Sequence, residues 1–443
     1  VHAPVEAPRQ AEVAPTRRDR LISIPYLLLR ASTAGGAFVM GFIQTFVLAR
    51  VLSPDRFSLF IVVGGIGYTL WVTDLGLAKI LFVNLRAGHL AGKPRAADAR
   101  QASAVILFYV LLAVATSLIC AAVASVQPGA TLRDAVEFSL FLLYITLNLA
   151  WFSLRSISIA VDVYVFYEKL ELGRRIVVVA AMFSMLAGLP LIDFLIGVDV
   201  LWAALLVAAA GRLVECGALA AHGRFFSDLA AFFRHNRQSI ARSSVGALSG
   251  VFVATFPYYF VPMAFGLGAP PIILEVTFRI FRGASVIFAA ACDLTLPAQT
   301  RALVTRDFGR MVRTTLIAIG LCTGLALVAG TVLVFAGGPL FRFLLRSAAT
   351  MPPQLTPILV ALLLVNVVQI VAEALLQHTG YFRSLAQVGV LMAGLMVAAS
   401  VLSLALRFDI VGFLAAYTAV FAAGTLALAV AAVTGPIRAA RPA

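Results

Sequence analysis

Apolar stretches of eighteen or more residues recur along the whole 443-residue chain, and no other property constrains its fold as tightly. A run of about twenty apolar residues is the length at which a helix crosses the hydrocarbon of a bilayer. The overall composition agrees. Hydrophobic residues make up 62% of the chain and charged residues 12%, against ~45–50% and ~25% in soluble domains. So few charges could not cover the surface of a soluble chain this long. The sequence is therefore read as an all-α, polytopic membrane protein.

Twelve spans are placed at about 25–49, 57–82, 103–125, 136–160, 175–192, 199–221, 243–266, 271–297, 314–337, 354–377, 386–406 and 411–434. With the N-terminus inside, cytoplasmic segments hold 22 of the 34 Lys and Arg residues and outer loops hold six. That asymmetry is a positive-inside signal and puts both termini in the cytoplasm. It also accounts for the formal charge of +14 without calling for nucleic acid. Residues 1–20 contain no apolar core, so no cleavable signal peptide is expected there, and they read as a disordered cytoplasmic tail. Residues 435–443 read as a second tail. The longest inner connection, HGRFFSDLAAFFRHNRQSIAR (222–242), repeats Phe225, Phe226, Leu229, Phe232 and Phe233 at helical spacing. It reads as a basic amphipathic helix at the membrane surface. It divides the chain into two six-helix lobes, 21–221 and 243–434, around a central cavity. Outer loops are short, the longest being 337–353, which leaves no room for an extracytoplasmic catalytic domain. Cys120, Cys216, Cys292 and Cys322 lie in apolar stretches, and neither cysteines nor histidines show metal-ligand spacing.

Charges inside the spans carry the functional signal. Arg30, Lys79, Arg155, Arg212, Arg279 and Arg282 face only four clear acids, Asp74, Glu215, Asp293 and Glu373. Each charge facing lipid costs ~2.5–3.5 kcal/mol, so ten would cost ~25–35 kcal/mol. Ordinary domain stability is only ~5–15 kcal/mol. Most must therefore face one another or a wet cavity, and the surplus of cations suits an anionic ligand. Spacing supports a lined cavity. Arg30, Thr33, Gly41 and Gln44 share a helical face, as do Asn148 and Arg155, and as do Asn366, Gln369, Glu373 and Gln377. Arg279 and Arg282, three apart, form a pair of guanidinium forks suited to phosphate or diphosphate. Competing structural roles are plain for several of these. Arg212 and Glu215 can neutralise each other, and Glu275 can pair with Arg279 and leave Arg282 free. Arg30, Lys79 and Arg155 can snorkel to the interface, and Asp293 and Glu373 can bridge helices. Asp74 and Lys79 stand about 140° apart on a helix and cannot pair directly. GGIG (64–67) and DLGL (74–77) loosen the second span, and Pro190, Pro257 and Pro262 are expected to kink the fifth and seventh.

At LARVLSPDRFSLFIVVGGIGYTLWVTDLGLAKILF (48–82) the chain resembles the first hairpin of bacterial polysaccharide (Wzx-type) flippases, within the multidrug/oligosaccharidyl-lipid/polysaccharide exporter superfamily. The matching elements are Leu52-Ser53-Pro54-Asp55-Arg56-Phe57 and the ending Asp74-Leu75-Gly76-Leu77. VTFRIFRGASVIFAAACDLTLPAQTRAL (276–303) is similar to the family helix that closes on Pro before a basic inner loop. The resemblance covers roughly 20–434. It implies a non-enzymatic carrier in the bacterial inner membrane that moves polyprenyl-diphosphate-linked oligosaccharide between leaflets by alternating access. It also implies H+ or Na+ as a coupling ion, membrane lipids as surroundings, and a glycan polymerase or glycosyltransferases as partners. No cofactor is implied.

The candidate cavity residues are Arg30, Gln44, Lys79, Asn148, Arg155, Arg279 and Arg282, with Asp74, Asp293 and Glu373 as candidates for coupling or gating. Two other functions compete: a drug/cation antiporter of the same superfamily, expected to have an acid- and aromatic-rich cavity, and a non-transporting scaffold of a glycan-assembly complex.

Overall fold

The computed structural model of the protein describes residues 24–70, 76–90, 96–126, 131–220, 224–346, 348–379 and 381–438. Among these residues the chain is helical almost throughout and has no strand. The first half comprises α1 (Ile24–Val51), a second pass divided into α2 (Pro54–Thr69) and α3 (Leu77–Leu90), and α4 (Ala96–Ser125). A divided fourth pass, α5 (Leu132–Thr146) and α6 (Asn148–Ala160), is followed by α7 (Tyr164–Leu186) and α8 (Leu191–Glu215). The second half is α9 (Phe225–Phe265), α10 (Ala269–Val304), α11 (Phe308–Leu345), α12 (Leu355–His378), α13 (Phe382–Ala405) and α14 (Ile410–Ala432), the last continuing as a π turn over Val433–Ile437. Counting divided passes once, the bundle has twelve. Eight segments are by themselves long and apolar enough to cross a membrane. α7 is not among them, because Glu168, Lys169, Glu171, Arg174 and Arg175 crowd its first half.

Local chemistry explains the ends and breaks. Ser53 accepts the backbone N–H of Arg56 and Pro54 opens α2, so the turn before the second pass is a capped helix start. Thr131 and Asp134 form a capping box at α5. The glycine of DLGL, Gly76, takes φ +78° just before α3, a conformation that a residue with a side chain adopts only at a cost. The break between α5 and α6 was not visible in the sequence. There Asn148 Nδ2 donates to the carbonyls of Tyr144 (3.1 Å) and Ile145 (2.9 Å). A side chain that competes for ladder carbonyls in this way bends a helix.

Three placements differ from the sequence reading. α7 begins at Tyr164, well before 175, so Arg174 and Arg175 belong to a membrane helix and not to a cytoplasmic loop. Pro190 sits at the N-cap of α8 and does not kink the fifth pass. The amphipathic connection and the seventh pass are one uninterrupted helix of 41 residues that runs through Pro257 and Pro262. Its apolar face is turned partly onto protein: Phe232 is fully buried, although Phe226 is 83% exposed. Asp228 lies 3.6 Å from Arg100 at the start of α4. The expected outer loop 337–353 is largely helix, since α11 continues to Leu345.

Within the first half α4 packs on α5, α1 on α7, α3 on α6, and α5 on α2 and α8. Within the second, α10, α11 and α12 pack together, and α13 lies on α9 and α14. The halves meet where α1 and α2 lie against α9, α10 and α11, and where α4 meets α9. The junction is tight at two glycines, Gly65 of α2 and Gly283 of α10, where a Cβ would overlap the Phe38 ring of α1. A Cβ on Gly65 of α2 would stand 2.5 Å from Cβ of Tyr258 on α9. Elsewhere the outer faces expose Leu118, Val207 and Phe335, as a lipid-facing surface requires.

Candidate functional site: a cavity between the halves

A cavity of about 580 Å³ lies at this junction, walled by α1, α2, α5, α6 and α7 from the first half and by α9 and α10 from the second. Aromatic side chains, among them Phe57, Phe60, Tyr68, Phe141, Tyr144 and Phe152, supply much of its surface. Among the described residues, its charges are four arginines and two glutamates. They form two groups of the same composition, one on each half.

On α7, the Glu171 carboxylate accepts from Arg174 Nε (2.9 Å) and Nη2 (2.7 Å) and from Arg175 Nε (2.6 Å). It also accepts from Trp151 Nε1 (2.8 Å). On α10, the Glu275 carboxylate accepts from Arg279 Nε (2.5 Å), from Arg282 Nη2 (3.1 Å) and from the Tyr258 hydroxyl. Arg279 Nη1 reaches across to the Gly41 carbonyl of α1. The Arg282 guanidinium lies over Tyr68, 4.7 Å from the ring centroid, within the range of a cation–π contact. Both glutamates are buried, at 6% and 3% exposure. A buried carboxylate needs such partners to stay ionised. Each group therefore keeps one uncompensated positive charge. In the α7 group the surplus is concrete: Arg174 Nη1 and Arg175 Nη1 are buried and have no hydrogen-bond acceptor among the described residues.

Helix geometry explains why the groups exist. Glu171, Arg174 and Arg175 fall at offsets 0, 3 and 4, and Glu275, Arg279 and Arg282 at 0, 4 and 7, so each set shares one helical face. α1 touches both sets through small residues. A Cβ on Gly36 would meet Arg175 Cδ at 3.4 Å, and one on Gly41 would meet Arg279 Nη1 at 3.7 Å.

Of the residues singled out in the sequence, Gln44, Asn148, Arg279 and Arg282 line this cavity. Arg282 is not free, because it shares Glu275 with Arg279. Arg155 stands apart from the wall. Its Nε is 3.1 Å from Glu168, which also accepts from Thr33 Oγ1 at 2.8 Å, so α1, α6 and α7 are tied together there. Glu373 accepts from Gln377 at 2.8 Å on α12, away from the cavity wall. Asp74 and the side chains of Arg30, Lys79 and Asp293 lie outside the described residues. Arg212 and Glu215 pair with each other at 2.7 Å. The sequence reading missed Glu171, Arg174 and Arg175 because it assigned a charge-dense stretch to a loop. The helical spacing of Glu168, Glu171, Arg174 and Arg175 was the available signal. Among the described residues no group of His, Cys, Asp or Glu could hold a metal ion.

No family model and no curated protein matches the sequence. Solved structures do match its fold. An inward-facing multidrug-resistance MATE family transporter of the MOP superfamily superposes with a TM-score of 0.63 at 12% identity, over 93% of this chain and 98% of that one. A mutant of the Vibrio cholerae MATE transporter VcmN gives 0.59 at 12% identity, over 92% and 98%. A MOP superfamily transporter from Pyrococcus furiosus, whose binding pocket is described as having reverse polarity suggesting a different function, gives 0.53 at 11% identity, over 89% and 98%. The chain therefore has the twelve-helix fold of these transporters.

Proposed function

We propose that this chain is an alternating-access transporter of an anionic amphiphile, and that its cargo is a polyprenyl-diphosphate-linked oligosaccharide. One observation carries the proposal. Among the described residues, the cavity at the junction of the halves holds four arginines against two glutamates, and two of its guanidinium nitrogens are buried without an acceptor. A diphosphate supplies several acceptor oxygens and negative charge in the planar geometry that guanidinium forks bind best. At about 580 Å³ the cavity has the size of an ordinary small-ligand site. It can take the diphosphate and the first sugar while the lipid tail stays among the exposed apolar helices. In this reading the protein is not an enzyme, it lies in the bacterial inner membrane with both termini cytoplasmic, and H+ or Na+ drives its reset. Enzymes that assemble the glycan are its expected neighbours.

The competing reading is a drug/cation antiporter. It is favoured by the aromatic walls and by the multidrug transporters whose fold the chain shares. It is disfavoured by the charge balance, because both cavity acids are already bound to arginine. Reconstitution separates the two. Purified protein in liposomes should move a fluorescent polyprenyl-diphosphate sugar between leaflets, and Arg282→Ala should impair that movement without loss of expression. Efflux of a lipophilic cation with no movement of the lipid would establish the antiporter instead. Movement of neither would favour a scaffold.

A further inference from the structure

Away from the cavity, the first half buries an acid that none of the described residues neutralises. Asp199 lies on α8 at 9% exposure, and both of its carboxylate oxygens are inaccessible and without a hydrogen-bond partner. Trp202, one turn further along the same helix face, is 1% exposed and its Nε1–H is likewise unpartnered. α8 packs against α5, α6 and α7. The ionisable groups that these helices bury or half-bury are Asp134, Glu137 and Tyr144 on α5, Arg155 on α6, and Tyr164, Tyr167, Glu168, Glu171, Arg174 and Arg175 on α7. Asp134 and Glu137 are held by Arg56, and Glu137 also by Arg133. The cations among them are committed elsewhere: Arg155 to Glu168, and Arg174 and Arg175 to Glu171. On α8 itself Asp193 is exposed, and Arg212 is paired with Glu215.

An ionised carboxylate in such a place costs several kcal/mol, and the group takes up a proton instead. Acids buried inside a membrane bundle are where proton relays are built. We infer that Asp199 is a proton-binding site, occupied in the conformation described here and emptied when α7 and α8 rearrange. A proton fits better than a metal cation. The unpartnered polar group one turn along the same helix face, Trp202 Nε1–H, is a donor, as is the Arg174 guanidinium that covers the Trp202 ring at 4.3 Å from its centroid. Donors repel a bound cation but stabilise a carboxylate once it is formed. The step is Asp199–COOH giving Asp199–COO⁻ and H⁺ to water. The new carboxylate then accepts from Trp202 Nε1–H, which has no acceptor among the described residues. Trp202 meets Trp151 edge to face at 5.3 Å, and Trp151 donates to Glu171, so the site connects to the α7 arginine group through two indoles. When Trp202 turns to the new carboxylate it leaves its contacts with Trp151 and the Arg174 guanidinium, and so shifts the group that Glu171 holds and the charge offered to the cavity. Only this last link rests on the transport reading.

Infrared spectroscopy of the full chain in phosphatidylethanolamine–phosphatidylglycerol liposomes, stepped through pH, reads the carbonyl stretch of protonated carboxyl groups. Wild type should keep such a band at neutral pH. Asp199→Asn should lose it, and Asp193→Asn, on the exposed side of the same helix, should keep it. Identical neutral-pH spectra for wild type and Asp199→Asn would overturn the inference. Asparagine mimics the protonated acid, so that variant should melt no lower than wild type, and a marked fall would also count against it. Should Asp199→Asn not accumulate, Trp202→Phe removes the donor and should move titration of the band to higher pH. An unmoved titration would refute the release step. A band that behaves as expected in protein that moves no lipid would uphold the proton site and count against the transport reading alone.

Discussion

Arg50 sets how firmly one end of the bundle is shut, and its removal should measure that closure. At the end of α1, its Nη1 donates to the Leu344 carbonyl at 3.1 Å and its Nη2 to the Phe343 carbonyl at 2.5 Å, both in the last turn of α11. Those carbonyls have no partner within their own helix and carry its negative dipole end, so a cation is favoured there. The guanidinium also lies 5.6 Å from the Phe343 ring centroid. Its closer contacts, the Phe46 ring at 3.5 Å and the Phe46 carbonyl at 2.8 Å, are within α1 and persist whether the halves meet or part. Only the cross-half contacts count toward closure. Charged hydrogen bonds are worth ~1.5–3 kcal/mol when buried, and exposure at this site reduces them. A net ~1–2 kcal/mol for the pair is a fair figure. That corresponds to ~5–30-fold in the balance between closed and open ends. Spin labels at Ser53 and Leu340, both exposed, report the distance between the ends by pulsed electron resonance. Arg50→Ala should move the distribution toward longer distances by that factor, and Arg50→Lys should fall between it and wild type, since an ammonium cannot fork. If all three proteins gave one distribution, Arg50 would be a surface residue and not a latch.

Four further variants test the same geometry. Glu275→Gln leaves Arg279 and Arg282 without a counter-charge, so melting temperature should fall by the equivalent of up to ~3–5 kcal/mol, and added pyrophosphate should restore more of it than chloride at equal ionic strength. Gly65→Ala should destabilise by ~1–3 kcal/mol, because Tyr258 is buried and its hydroxyl is held by Glu275. Gly283→Ala should cost less in the same thermal melt, because the atoms it meets belong to the Phe38 ring, which can swing into the cavity. Arg212→Ala should leave both melting and transport unchanged, since that ion pair is 48% and 67% exposed at its two ends.

What the sequence disclosed divides along a physical line. Periodicity and hydropathy located the membrane passes because lipid imposes one rule on every lipid-facing helix, and α4, α8 and α11 to α14 obey it. The same rule misplaced α7. A helix that faces water inside the protein gains nothing from being apolar, so its charges imitate a loop. Arg279 and Arg282 were legible because they stand alone in an apolar stretch, whereas Arg174 and Arg175 were hidden by Glu168, Lys169 and Glu171 beside them. The Pro190 expectation missed because the fifth pass ends before it: Pro190 opens the next helix, where its missing N–H costs nothing. Asp199 escaped notice because the sequence reading began the sixth span there, making it a boundary residue, whereas the helix starts eight residues earlier at Leu191.

The pairing of one glutamate with two arginines on each half addresses a difficulty that any cation-lined cavity faces. Two guanidinium groups a few ångströms apart repel by several kcal/mol at an effective dielectric of about 20. Without a ligand, a cavity of bare arginines would push its walls apart or draw in solvent ions. Glu171 and Glu275 remove most of that repulsion and hold the forks in fixed positions, and each group still carries a single positive charge. A dianionic headgroup placed between α7 and α10 would complete both groups at once. Because these helices belong to different halves, such a ligand binds most tightly where the halves bring the two groups together, and it shifts the population toward that arrangement. A lipophilic cation makes the opposite demand. It must detach a glutamate from two arginines before it gains a counter-charge, and it then leaves four cations facing it. In a cavity built this way, the sign of the cargo and the closing of the halves are one energetic question. Competition between pyrophosphate and the lipid substrate, measured together with the α1–α11 distance, answers both parts. If pyrophosphate neither competes nor changes that distance, the two arginine groups are structural and the cargo binds elsewhere.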